Sequence, residues 1–499
     1  MTSHYEVAIG AVPATCGPPA RQPKDDRRIR ATYDSAKRTD ENKRHWANAD
    51  ALSAGAANSH HVRFRLRTHA RYERDNNSYC AGMVKTLAND LVGTGPRLQL
   101  TTSDSQLNRD VEAAFGTWAD AVCLADKLRT MKQSKTVDGE AFALFTTNLI
   151  LPNPVKLDLR LIECDQVHTP FPNIQRPNFV DGIEFDSAGN ASFYHLLNQH
   201  PGDMWVQQPL SYQRIPAREM LHWFACSRPG QYRGIPEYTA ALALFAFMRR
   251  FTLAAVSTAE IQACFTAFLK TQSAPVDAQL GKEFDTIDIV REMLMTLPAG
   301  HEVQFLNPSQ PAPSYEMFKR ELLNEIARCL NIPYNIAAGN SSSYNFASGR
   351  LDQGIYFQSM KVERSDIEGK TFLSRVFSRW LEEALLVPDY LPRGVSIADL
   401  TSRLWFWDEW AHQDPSKEAA AADTLIKAKL MTYAEWYAKK GKDWEDQFVQ
   451  SAREQKLADK LGLDLSGLPA VQVAAPLSEA DQKAQDEGSQ DATPVNKAA

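Results

Sequence analysis

The chain has 499 residues, 43% of them hydrophobic and 23% charged, with a net charge of −6. That length has room for roughly three domains, the composition is that of a folded chain, and the acidic balance excludes a protein that grips phosphates over its whole surface. Seven dispersed cysteines without a Cys-x-x-Cys or Cys/His spacing exclude a zinc module and point to free thiols in a reducing cytoplasm.

Residues 1–25 are rich in Pro, Gly and Ala and are expected to form a disordered arm, with no secretory signal in the first twenty. From Arg21 to Arg74 there are 14 Lys/Arg against 7 Asp/Glu, either a solvated helical surface or an interaction arm. Residues 27–92 read as helical. Val84, Leu87, Leu91 and Val92 give an apolar face, and Gly93 to Pro96 stop the last helix. Asp104 to Ser134 reads as helical again, with Val111, Phe115, Trp118 and Val122 at three- and four-residue steps.

A β-rich stretch follows, with strands predicted over 141–150, 156–163, 181–186, 191–198 and 219–226 and a hairpin turn over 186–190. Pro236 opens a predicted helix of about 35 residues to Lys270, apolar all round and so buried on several sides. Its Arg249 and Arg250 argue against a membrane span, since each costs about 2.5–3.5 kcal/mol at a bilayer centre. Residues 272–313 carry five prolines and one short predicted strand, 302–306. A helix over Ser314 to Ile332 follows, striped by Tyr315, Phe318, Leu322, Ile326 and Leu330 and halted by Pro333. Another is predicted from Arg350 to Leu386, with interleaved rows Phe372/Val376/Trp380 and Leu373/Phe377/Leu381. Asp414 to Leu461 reads as helical, and 464–499 as a disordered tail.

Chemistry-bearing residues are sparse. Asp138-Gly139-Glu140 with Glu163 and Asp165 could form a carboxylate cluster for general acid–base work or Mg²⁺, although Asp-Gly is first of all a turn. The histidines have no ligand spacing, and there is no P-loop or Gly-x-Ser-x-Gly elbow. The segment Arg228 to Pro236 (RPGQYRGIP) joins a strand to a helix start; an anion could sit there, but a rigid joint is the preferred reading, with Arg228, Gln231, Arg233 and Pro236 as its structural residues. The segment Tyr334 to Gly349 carries no charge, between two charged helices. It offers hydroxyls and amides only, which suits either an ordinary solvated connection or a surface touched without being held.

Taken in order, Arg74-Asp75-Asn76-Asn77, Val92-Gly93-Thr94-Gly95, Asp138-Gly139-Glu140, the RPGQYRGIP segment, Ile326-Ala327 with Asn331-Ile332-Pro333, Asn345 to Arg350 and Asp414 to Glu418 resemble the lambda-type portal proteins of tailed bacteriophages. The resemblance runs from about Tyr33 to Leu463. Phe346 and Ala347 depart from the family's usual Tyr-Ser in the loop. The resemblance implies an α+β portal fold with an α/β wing, a helical stem, a small β-containing clip and an α-helical crown, assembled as a ring. It implies an arm (1–25), N-terminal helices and wing (26–235), stem helix (236–270), clip (271–313), second stem helix (314–333) and tunnel loop (334–349). Tunnel helix and return to the wing (350–410), crown (411–463) and tail (464–499) complete the order.

The function so implied is a dodecameric channel at one capsid vertex for packaging and ejection of double-stranded DNA. No enzyme activity, cofactor, metal or membrane is expected. Partners are further copies of the chain, DNA, the terminase large subunit, the major capsid protein and the head–tail connector. The place is the virion, and the host cytoplasm during assembly. Asn340, Ser341, Ser342, Ser343, Tyr344 and Asn345 become the channel-facing tunnel loop and Arg350 a tunnel-helix residue. The competing readings are a metal-dependent hydrolase using Asp138, Glu140 and Asp165, and another oligomeric head-completion protein.

Overall fold

The computed structural model describes residues 40, 43–169, 178–203, 211–264, 268–271, 301–304, 313–342, 346–392, 400, 402–408, 415–440, 442 and 444–462. Two compact units are delimited, 1–53 and 54–499. In the first, residues 43–48 form turns. The second holds every helix and strand named below. The expected arm and tail, and most of the expected clip, lie outside the described residues, as do Ser343, Tyr344 and Asn345.

After a short helix α1 (Ala54–Ala57), α2 (His60–Asn76) and α3 (Ser78–Val92) are separated by one residue. Asn77 is the cause: its side chain caps α3 by accepting from the Tyr79 and Cys80 amides, and its own extended backbone ends α2. Strand β1 (Arg97–Leu100) precedes α4 (Ser105–Ala121) and α5 (Leu124–Asp138). The stretch expected to be helical over 104–134 is two helices. Cys123 breaks it in the left-handed region, at φ +53°, which turns α5 toward the sheet.

Strands β2 (Glu140–Thr147), β3 (Leu157–Ile162), β4 (Phe179–Val180), β5 (Ile183–Phe185), β6 (Ala191–Leu197), β7 (Tyr212–Pro216) and β8 (Met220–Phe224) form two antiparallel sheets, ordered β3-β2-β8 and β4-β5-β6-β7. Central β2 is buried on both faces. Ala141, Ala143 and Phe145 enter the main core, while Phe142 and Leu144 enter a smaller core shared with Ile183, Tyr194 and Leu196 of the second sheet. Period-two alternation thus divides one apolar strand between two cores.

Helix α6 (Leu242–Cys264) follows a 3₁₀ turn at Thr239–Ala241 and is shorter than the expected 236–270. Phe268–Thr271 leaves the helical pattern to become β9, pairing antiparallel with β10 (His301–Gln304). A distant strand partner here overrides the local helical propensity. Helix α7 (Pro313–Cys329) leads through Pro333 into α8 (Tyr334–Ala338), closed by Gly339 at φ +63°. Part of the uncharged segment is thus a helical turn with Asn335 and Ala337 buried, and its exposed described part is only Gly339 to Ser342.

The helix expected over 350–386 is also two, α9 (Phe346–Asp366) and α10 (Leu373–Ala384). A π-type turn at Ile367–Thr371 kinks between them, with Gly369 out of helical geometry at ψ −147°. Both predicted rows of α10 are buried, from Phe372 to Leu381. They meet Phe115 and Trp118 of α4 and Trp405 of β11 (Arg403–Phe406): the Phe115 ring lies edge-on to Trp380 at 5.2 Å and to Phe377 at 5.6 Å. Strand β11 pairs with β1 and so ties together segments some 300 residues apart. The last region, expected to be helical, is α11 (Pro415–Lys427), α12 (Tyr433–Lys439) and α13 (Trp444–Leu461), with left-handed Lys429 between the first two.

Candidate functional site

The two most distinctive sequence motifs meet. The Asp138-Gly139-Glu140 turn lies against Arg233-Gly234-Ile235, backbone on backbone. A Cβ on Gly139 would stand 2.2 Å from the Ile235 carbonyl carbon, and one on Gly234 2.0 Å from the Gly139 oxygen. Only glycine at both positions permits that approach.

The contact brings Arg233 onto Glu140, both buried. Arg233 donates to the Glu140 carboxylate at 2.7–3.0 Å and to the carbonyls of Cys164, Val167 and Asp181. Glu140 also accepts from the Gly234 amide and contacts His222 Nε2, each at 3.1 Å. Burial opposes its charge, but the guanidinium and the His222 hydrogen bond prevail and hold Glu140 well below the usual carboxylate range. Around it, Arg63 pairs with Asp181, Arg67 with Asp165, and Arg71 with both Asp138 (2.6 Å) and Asp165 (2.8 Å). Gln231 completes the joint: its carbonyl oxygen accepts from the Ser227 amide and hydroxyl, and its amide donates to the Arg233 carbonyl. Arg228 lies in the exposed part of the same loop, and Pro236 is buried at its end.

A second ionic group locks the joint to the helices. Lys132 and Lys135 of α5 both bridge Glu237, beside Pro236, and Glu363 of α9. The start of the α6 segment, the sheet-facing α5 and the kinked α9 are thereby held at one point.

This arrangement decides against acid–base or metal chemistry at the acidic residues. Asp138, Glu140 and Asp165 each have a guanidinium as counterion, where a catalytic or Mg²⁺-binding carboxylate needs a free lone pair. Glu163, Asp165 and His200 do converge, with ligand atoms within 4.8 Å of one another. But His200 Nδ1 accepts from the Gly202 amide, so a neutral ring carries its proton on Nε2, the atom 3.2 Å from Glu163. A protonated Nε2 has no lone pair to offer a metal, although in this geometry it faces the carboxylate without forming a hydrogen bond.

Histidine burial gives the fold a pH dependence. Burial first, then His168 at 4.6 Å and Arg63, hold His60 down to about 4 from its ordinary 6.5. Burial also lowers His222, stacked between Phe142 and Phe224. As pH falls below 6.5 the unfolded chain takes up a proton at His60 that the folded chain refuses until about pH 4. Stability is therefore complete above 6.5 and declines between 6.5 and 4. The urea midpoint is expected to fall over that window, and His60→Gln to reduce the slope; an unchanged slope in the variant contradicts this assignment.

Of the six residues expected in the tunnel loop, three are described. Asn340, Ser341 and Ser342 are exposed and carry no charge. Arg350 is exposed on the first turns of α9. Helix α6 is tethered at its start, where Tyr238, Phe245 and Met248 are buried and Arg249 pairs with Glu73 of α2. Phe251 stacks on Tyr315 and packs against Phe318 of α7, and from Leu253 to Glu260 the side chains are mostly exposed. Thr239–Glu260 is long and apolar enough to cross a membrane, yet only 17% of the window is buried within the chain, with Phe247, Leu253 and Val256 open to solvent. All-round apolarity signalled such burial; that the chain does not itself supply it becomes visible only in three dimensions.

The chain is 24% identical over 481 residues to a probable portal protein of Halomonas phage phiHAP-1, covering 89% of this chain and 90% of that one. It is 24% identical to portal protein B of Escherichia phage lambda, covering 76% and 81%. Among solved structures it is similar to a chain in the neck of an empty GTA particle, at 13% identity and a TM-score of 0.42, covering 78% of this chain and 97% of that one. Residues 41–360, well over half the chain, match the model of the phage portal protein, lambda family. The chain therefore belongs to the lambda family of phage portal proteins, structural components of the virion rather than enzymes.

Proposed function

We propose that twelve copies of this chain form a ring around a central channel at one capsid vertex, through which double-stranded DNA enters during packaging and leaves during ejection. The terminase large subunit docks on the ring first and the head–tail connector replaces it, while the major capsid protein surrounds it. In this reading residues 26–235 are the wing, α6 and α7 the stem, 271–313 the clip, 334–349 the tunnel loop, 350–410 the tunnel helix and its return to the wing, and 411–463 the crown.

The observation that carries the ring is α6. An apolar helix with most of its surface in water is unstable as a solitary object. Its Arg249–Glu73 pair fixes it to protein, so the missing cover is protein as well. A closed ring supplies that cover with identical neighbours.

The observation that supports the conduit is the exposed, uncharged run Asn340-Ser341-Ser342. A channel that lets DNA slide must not hold it. Roughly 6–10 phosphate contacts already give a tight, salt-sensitive complex, and a ring repeats every lining side chain by its copy number. Amides and hydroxyls offer weak, exchangeable hydrogen bonds instead.

Light scattering of the purified chain at micromolar concentration tests the ring. A mass near twelve protomers is expected, falling to that of the protomer in Leu253→Asp. A monomeric unaltered chain contradicts the proposal.

A further inference from the structure

Helix α9, taken above as lining the channel, has an exposed face that is wrong for DNA. Leu351, Ile355, Gln358 and Val362 recur at steps of four, three and four, the spacing of a helix-packing seam. Their aliphatic members are 74%, 63% and 57% exposed, whereas Tyr356, Met360 and Arg364 on the opposite side are buried. The seam is about 16 Å long at the helical rise. Arg350 and Lys361 stand exposed along one flank, and neither has an ion-pair partner among the described residues.

A complementary surface exists on α7. Phe318 and Leu322 line a groove of about 530 Å³ with Glu321, Asn324, Glu325 and Arg328, the last of which donates to the Asn331 side chain. Phe318 and neighbouring Met317 are 51% and 63% exposed. Both glutamates are exposed, and neither has an ion-pair partner among the described residues. One helix thus offers an apolar ridge beside two unpaired cations, and another a partly apolar groove whose two unpaired anions outnumber its one cation, Arg328.

We propose that the α9 seam of one copy seats in the α7 groove of the next, with Arg350 and Lys361 facing that neighbour's Glu321 and Glu325. The inference rests on the ring reading and names the contact that closes it. A ring needs two different patches in each interface, because a self-complementary contact pairs copies and stops. Two α9 seams facing each other would also set like charges together. The alternative, α9 facing the duplex, leaves the aliphatic ridge in water and adds two cations per copy to the lumen, where they would retain DNA. Seating α9 on α7 places those charges against carboxylates and leaves contact with DNA to the uncharged loop.

Charge exchange tests this in the full chain, since all four side chains are exposed and none supports the protomer's fold. Arg350→Glu with Lys361→Glu is expected to lower the ring fraction by light scattering at least tenfold. Glu321→Lys with Glu325→Lys should do the same, and all four changes together should restore rings. The melting temperature of the protomer should stay unchanged throughout. Rings that persist in the Arg350/Lys361 variant, with duplex retention on a filter falling instead, overturn the seating and return α9 to the channel. Failure of the fourfold variant to reassemble also overturns it. If the unaltered chain is monomeric, the ring reading itself has failed, a result distinct from either.

Discussion

Replacing Arg233 with Ala is expected to destabilise the fold by about 3–5 kcal/mol, the usual penalty for removing one partner of a buried ion pair. Glu140 is fully buried and would keep only the hydrogen bonds from His222 and the Gly234 amide and the more distant Arg67 guanidinium, at 3.6 Å, for its charge. Three backbone carbonyls would lose their donor at the same time. Arg233→Lys should recover only part of the loss. A single ammonium cannot reach the carboxylate and carbonyls on three sides as a planar guanidinium does. The urea midpoint at constant slope measures both, and a loss under about 1 kcal/mol for the Ala variant would show that the joint is not the keystone described above. A portal needs such a joint to be stiff, because the helices rooted there, α6 directly and α9 through Glu363, are the ones proposed to meet neighbouring copies.

The second large effect concerns transport rather than stability. Ser341→Lys with Ser342→Lys is expected to slow DNA packaging by an order of magnitude or stall it, while rings form with normal mass and melting temperature. Both side chains are exposed, so the protomer has no reason to unfold. In a ring, each substitution sets one new cation per copy around the duplex, and affinity rises steeply with the number of phosphates neutralised. The defect should ease as ionic strength rises, since the added binding is driven by counterion release. Ser341→Gln with Ser342→Gln, bulkier but uncharged, separates charge from obstruction and should package faster than the Lys pair. Packaging by the Lys variant at the unaltered rate would remove the loop from the path of the DNA.

Much of the architecture was legible in the sequence, for identifiable reasons. The rows Phe372/Val376/Trp380 and Leu373/Phe377/Leu381 are buried as predicted because helical periodicity survives when one face meets a core. The hairpin over 186–190 was marked by its Asp-Ser-Ala-Gly-Asn turn, which now joins β5 to β6. Helix breaks were missed where a single residue decides them: Cys123 and Lys429 take left-handed backbone without being glycine, and Gly369 kinks a segment whose apolar spacing runs on regardless. β9 was absorbed into the preceding helix because its partner lies some thirty residues away.

The site was legible in its parts but not in its connections. Asp138-Gly139-Glu140 and RPGQYRGIP stood out separately, yet nothing in either announces that Gly139 and Gly234 touch. Catalysis or a metal therefore stayed open beside the preferred turn until the guanidinium partners of the acids on α2, 65 to 100 residues away for Asp138 and Asp165, came into view. The uncharged segment was read as loop throughout, whereas Tyr334–Ala338 is helical, because Ile336-Ala337-Ala338 suits a helix as well as its polar neighbours suit a turn.

The central claim is that many copies encircle DNA and meet it with an uncharged lining. A reconstruction of the assembled ring at side-chain resolution tests this most directly, through the distance of Ser342 from the ring axis. The account predicts that Asn340, Ser341 and Ser342 stand nearer the axis than the charged side chains of α7 and α9. Finding them on the outer wall, or finding Arg350 and Lys361 projecting into the lumen in their place, would contradict it.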